Sequence, residues 1–270
     1  MKEVQPWVDE VFASFNDEPD KPYIKKENIR INLNGKSNAG GNNPALISRK
    51  AANIAPEKVD WLWDGRIARG KHCCIAGEPG TGKSQLSIII TAAITTSGSW
   101  PCGEGWSPLG NVIILSAEDS AADTIVPRLM AAGADLDRVH IVSAVRNYNG
   151  KGQRTFNLQT DIELLERNIT EIGDVALVIV DPVSSYLGKT DSHKNSEVRG
   201  VLEPLSDMAD RTRVALLSIT HFNKTGANNT TKALHRFIGS IAFTGGTPYR
   251  VCRYRGSRGC RSPAFPSCQE

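Results

Sequence analysis

No apolar run in this 270-residue chain approaches the roughly twenty residues that a helix needs to cross a bilayer. The opening Met1-Lys2-Glu3-Val4 lacks the apolar core of a secretory signal. Net charge is only +3, so the chain as a whole carries no field that argues for nucleic acid. No C-x-x-C pair occurs among the six cysteines. Cys73 and Cys74 are adjacent in a predicted strand, where neighbouring side chains face opposite ways and do not easily pair. Cys252, Cys260 and Cys268 lie in a tail without a histidine to complete a zinc site. Membrane spanning, secretion and a disulfide or zinc framework are therefore not expected, and the thiols read as free in a reducing cytoplasm. There is no internal repeat.

What is present is an alternation of apolar strands and helical patterns. Strands are predicted at 73–76, 112–116, 139–142, 176–180 and 214–219, and helices at 83–96, 122–132, 160–172 and 196–211. Val112-Ile113-Ile114-Leu115 and Ala176-Leu177-Val178-Ile179-Val180 are nearly continuous apolar runs, as parallel strands covered on both faces require. The alternation predicts βαβ crossovers and an α/β fold with a mainly parallel sheet flanked by helices. Asn34 to Asn43 is too polar and glycine-rich to pack and reads as a linker, preceded by a short amphipathic helix around Pro6 to Phe15. The expected division is an arm and linker over 1–50, a compact domain over 51–243 and an atypical basic tail over 244–270.

The run Gly77-Glu78-Pro79-Gly80-Thr81-Gly82-Lys83-Ser84 fits G-x-x-x-x-G-K-[ST], the phosphate-binding P-loop. About one chain in a hundred of this length would match by chance, but here a strand leads in and a helix beginning Lys83-Ser84-Gln85 leads out. Glycines let backbone N–H groups approach phosphates, and a helix N-terminus favours negative charge. Lys83 is expected to reach the β- and γ-phosphates of ATP, and Ser84 to ligate Mg²⁺.

Three other strand ends carry polar groups. Asp181 closes an apolar strand and would lie beside the P-loop, where Mg²⁺ sits. Glu118 and Asp119 follow the strand at 112–116; either Glu118 activates water or the two acids cap the next helix, with Asp119 favoured as the cap. His221 ends Ser218-Ile219-Thr220-His221 and either reads the γ-phosphate or is a structural histidine. Two polar connections, Ser184 to Arg199 and Phe222 to Ile238, carry basic residues (Lys189, His193, Lys194, Arg199; Lys224, Lys232, His235, Arg236) that either grip a nucleic-acid backbone or are simply solvated.

Together these residues resemble the RecA-like ATPases, most closely the hexameric replicative helicases of the plasmid RepA kind and their phage relatives. The resemblance spans about Ala51 to Phe243. It rests on Trp61-Leu62-Trp63 with Gly65-Arg66-Ile67, on the P-loop, and on Ser116-Ala117-Glu118-Asp119 with Asp123 and Arg128. Val180-Asp181-Pro182, Thr220-His221 and Gly239-Ser240-Ile241-Ala242-Phe243 complete it. It implies that Glu118 activates water, Asp181 handles Mg²⁺ and His221 senses the γ-phosphate. It also implies a ring of identical chains, with ATP between subunits and single-stranded DNA in a central pore.

After Phe243 the pattern departs. The family's arginine that reaches a neighbour's ATP would fall about nine residues past Gly239, where this chain has Pro248. The tail holds five arginines and three cysteines from Arg250 onward and no recognisable closing strands, as a truncated or out-of-frame continuation would. Two functions follow as expectations: an ATP-hydrolysing motor on DNA, or a nucleotide-dependent binding module with little hydrolysis. A GTPase is disfavoured because Asn223-Lys224-Thr225-Gly226 has glycine where guanine recognition needs a carboxylate.

Overall fold

The computed structural model describes residues 48, 50–101, 103–147, 152–188, 195–221 and 252–253, with the backbone alone at 195–197, 221 and 252–253. The arm helix near Pro6, the linker at Asn34–Asn43, the basic connection Phe222–Ile238, Lys189, His193, Lys194, the Gly239–Phe243 run, Pro248, Cys260 and Cys268 lie outside the described residues. The chain forms two units, Met1–Lys58 and Val59–Glu270. In the first, Ala51–Asn53 makes one 3₁₀ turn.

The second unit opens with an antiparallel pair, β1 (Trp61–Trp63) and β2 (Ile67–Ala68). It then builds a six-stranded sheet from β3 (His72–Gly77), β4 (Asn111–Ser116), β5 (Val139–Val142), β8 (Val175–Asp181), β9 (Ala215–His221) and β10 (Cys252–Arg253). A short hairpin, β6 (Val145–Arg146) with β7 (Gln153–Arg154), stands apart from it. The sheet order is β10-β3-β9-β8-β4-β5, and every neighbouring pair is parallel. Helices α1 (Lys83–Thr95), α2 (Val126–Ala131), α3 (Ile162–Ile172) and α4 (Asn195–Thr212) cover it.

Alternation along the strands divides the core in two. Cys74, Ala76, Ile113, Leu115, Val178 and Leu216 pack with Leu165 and Ile169 of α3 and Leu205 and Met208 of α4. Cys73, Ile75, Ile114, Leu177, Ile179 and Ile219 pack with Ile90 and Ile94 of α1 and Leu129 of α2. Both faces of every central strand are therefore dry, which is why these strands are apolar at consecutive positions. Each fully buried Ile, Leu or Val contributes about 1.5–3 kcal/mol relative to exposure.

The predicted helix at 122–132 proves to be two pieces. A π-helical turn, Ala121–Ile125, precedes α2. Pro127 has no N–H to continue an α-helical ladder backwards, so it sits in the first turn of α2. The wider turn before it is closed by the Ile125 N–H donating to Ser120 O at 3.0 Å. The expected polar connection from Ser184 to Arg199 is shorter than read. Val183–Tyr186 is a 3₁₀ turn, and Arg199 belongs to α4. The tail, read as without closing strands, contributes Cys252–Arg253 at the sheet edge beside Ile75–Ala76.

The Trp63 and Trp100 rings stack at 4.7 Å and 2°. Arg66 lies 5.2 Å over the Trp63 ring. The Glu104 carboxylate accepts from Trp63 Nε1 at 2.7 Å and Arg66 Nε at 2.9 Å. The tryptophan and arginine that precede the P-loop thus brace the hairpin that feeds β3.

Candidate functional site

β3 ends at Gly77, and the loop that follows folds back on its own carbonyls. A Cβ at Gly77 would come within 3.0 Å of Thr81 Oγ1 and 3.4 Å of Lys83 Cδ, so only glycine fits there without displacement. Gly80 and Gly82 take φ of 74° and 86°, the left-handed region. Thr81 Oγ1 donates to Glu78 O at 2.8 Å. Lys83 is buried, and its Nζ donates to Gly77 O at 3.1 Å and Glu78 O at 2.8 Å. No side chain caps α1, since Gly82 is its N-cap, so its first-turn N–H groups meet the loop without competition from a capping oxygen.

Burial holds the Lys83 ammonium below the usual lysine range, and the charges of Asp181 and Glu118 oppose that shift. Both carboxylates therefore lie within electrostatic reach of the lysine. Asp181 ends β8, opposite Ser116 of β4 in register, and its carbonyl accepts from the Ala117 N–H at 3.1 Å. Ser84, Ser116, Asp119, Arg128 and Asp181 line one cleft, floored by Ile114 and Ile179.

β9 lies between β3 and β8. Asp181 is thus one strand removed from the P-loop strand and not its immediate neighbour, and it still meets Ser84 across the cleft at the same edge of the sheet. Glu118 stands exposed just beyond β4. Gln85, Glu78 and Pro79 are exposed on the loop and the first turn of α1. His221 is backbone-paired with Gly77, and Thr220 with Ala76, which sets that strand end against the root of the phosphate loop. The Thr220 hydroxyl is buried and has no hydrogen-bond partner among the described residues.

Asp119 does not cap the following helix. Its Oδ2 accepts from Arg128 Nη1 at 2.9 Å, while Ser120 takes the N-terminal position of the π turn. Tyr186, which carried no motif, belongs to the site's surroundings: burial and the charge of Asp181 push its phenol up to about 12.

The oxygen donors suit a hard cation. Ser84 offers a hydroxyl and Asp181 a carboxylate, the oxygen set that Mg²⁺ takes when phosphates supply the rest. Among the described residues no group of three or more His, Cys, Asp or Glu could hold a metal alone. Also among the described residues, no helix is long and apolar enough to cross a membrane.

The parallel sheet flanked by helices, with the phosphate loop after β3 and the acid at the end of β8, is the RecA-like P-loop NTPase arrangement. Two proteins named DNA repair protein RadA are similar to this chain. That of Halalkalibacterium halodurans is 26% identical over 203 residues, covering 73% of this chain and 38% of the relative. That of Streptococcus pneumoniae is 21% identical over 197 residues, covering 73% and 41%. The chain thus spans about two fifths of the length of these relatives. A family model for the AAA domain matches residues 43–227, more than half of the sequence, and the chain belongs to that family.

Proposed function

We propose that this chain is an ATP-hydrolysing RecA-like motor that acts on single-stranded DNA in replication or repair. The observation that carries the reading is the meeting of Lys83, Ser84 and Asp181 at one sheet edge, with the Glu118 charge within reach of Lys83. In this reading the ATPase domain is 51–243, and identical chains assemble into a ring of the replicative-helicase kind. The similarity to proteins named for DNA repair supports a DNA partner.

The chemistry follows from the residues. The loop's N–H groups and the N-terminus of α1 hold the phosphates. Lys83 exchanges the carbonyls of Gly77 and Glu78 for β- and γ-phosphate oxygens. Its burial makes it a strong donor to negative charge because water does not compete. Mg²⁺, held by Ser84 and Asp181, would neutralise charge on the phosphate oxygens. Glu118 orients a water for in-line attack on the γ-phosphorus and accepts its proton. His221, at the end of the strand beside the P-loop, registers the γ-phosphate and passes its loss to the basic segment that follows.

ATP turnover measured with and without single-stranded DNA, with Lys83→Ala as control, tests this. The expected result is DNA-stimulated turnover that falls at least about 100-fold in the variant. Undiminished turnover in Lys83→Ala refutes the site. Pro248, at the place of the family's neighbour-reaching arginine, supports a second reading as a nucleotide-dependent binding module. ATP binding without turnover in either condition would select it.

A further inference from the structure

A water-activating carboxylate must be held in place, and Glu118 stands on an exposed stretch past the end of β4. That stretch is anchored on both sides of Glu118, by the Ala117 N–H donating to Asp181 O at 3.1 Å and by Asp119. Asp119 is tied to Arg128 at 2.9 Å, and the Asp119 N–H leans on Ser116 Oγ at 3.4 Å. Asp119 and Arg128 also line the cleft that holds Ser84 and Asp181.

The ion pair closes a nine-residue span that includes the π turn Ala121–Ile125. Each residue of an α-helix advances about 100° around its axis, so removing the extra residue of that turn would swing Arg128 away from Asp119. π turns of this kind are often found at functional sites. The pair adds little to stability, since Arg128 and Asp119 keep 43% and 33% of their side-chain surface exposed.

We propose that Arg128 is a positioning residue: by clamping Asp119, which lines the Ser84–Asp181 cleft, it holds the Ser116–Ser120 stretch and so fixes where Glu118 stands. The inference rests on Glu118 being the water-activating group. A loosened Glu118 would slow the chemical step without changing how ATP is gripped, because Lys83 and the loop do the gripping.

The test is steady-state ATPase of the full chain with Arg128→Ala, Asp119→Asn, the double variant, Arg128→Lys and Glu118→Gln, alongside thermal midpoints. Each single variant of the pair is expected to lose about 10- to 100-fold in kcat with KM for ATP within about twofold. The double variant should be no worse than either single, Arg128→Lys should recover part of the loss, and midpoints should not move.

Losses that multiply in the double variant overturn the proposal. So does a raised KM in Arg128→Ala with Asp119→Asn unaffected, which would mean that Arg128 touches the nucleotide itself. A kcat loss that tracks a lowered midpoint makes the pair merely structural. Full turnover in Glu118→Gln, or no turnover in the parent chain, fails the underlying reading. Lost turnover in Glu118→Gln with an unaffected Arg128→Ala fails this inference alone.

Discussion

The stability of this domain should fall between neutral pH and pH 4 because of one buried imidazole. His72 begins β3, is buried, and its ring Nε2 lies 2.8 Å from Ser218 Oγ on β9. A hydroxyl partner satisfies a neutral ring and offers no compensating negative charge. Burial accordingly lowers the His72 pKa from 6.5 to about 4. The folded-state value lies below the unfolded one. As pH drops below 6.5 the unfolded chain takes up a proton that the folded chain refuses, and stability declines until the folded form also protonates near 4. At 1.36 kcal/mol per pH unit the full loss is about 3 kcal/mol, and the loss at pH 5 is about 2 kcal/mol.

Urea unfolding of the parent and of His72→Gln at pH 7.5, 6 and 5 reads this directly. The glutamine amide keeps a partner for Ser218 and has no proton to gain. Other titrating groups are common to both proteins and cancel in the difference. Asp161 and Glu166, held low by their arginine partners, act only in the carboxylate range below this window. The stability difference should close by about 2 kcal/mol between pH 7.5 and 5. Parallel curves for the two proteins would refute the reasoning.

Three further outcomes are expected. Gly82→Ala forces a side chain into φ 86° and should cost about 1 kcal/mol in urea unfolding, with weaker ATP binding by calorimetry. An unchanged midpoint would show that the loop relaxes freely. Asp161→Asn should destabilise by about 2 kcal/mol, because the buried carboxylate accepts from Arg154 at 2.5 and 2.6 Å and from the Asn157 N–H at 2.8 Å. Part of that cost should vanish in an Arg154→Met background. Cys73 and Cys74 are buried, with the Cys74 thiol pushed up to about 12, so neither should react with iodoacetamide before unfolding, as mass spectrometry of the native protein would show.

Much of this architecture is legible in the sequence, for a physical reason. A parallel strand dry on both faces must be apolar at every position, so Val112–Leu115 and Ala176–Val180 announced themselves. The P-loop announced itself because glycine is required where the backbone turns left-handed. Strand order was not readable: nothing in Asp181 or its neighbours tells that β9 inserts between it and the P-loop strand. Pairs as short as Trp61–Trp63 with Ile67–Ala68 leave no period to detect. Asp119 pairs with Arg128 where a cap is expected, because capping and pairing look alike in a local window. Arg128 lies nine residues on and past a π turn, and such a window does not reach that far.

The place of β3 within the sheet also bears on how the chain is made. Its two hydrogen-bonding neighbours are β9 and β10, so His72 waits for Leu216 and Ile75 for Cys252. At about 5–20 residues per second, the ribosome takes on the order of ten seconds to deliver even the nearer partner. During that interval an apolar strand with two thiols has both edges open. Contacts so distant in sequence are slow to close and leave such edges open to other chains. The strand that carries the phosphate loop is among the first of the sheet to be synthesised and among the last to be seated. A nascent chain stalled before β9 should therefore be a substrate for chaperones.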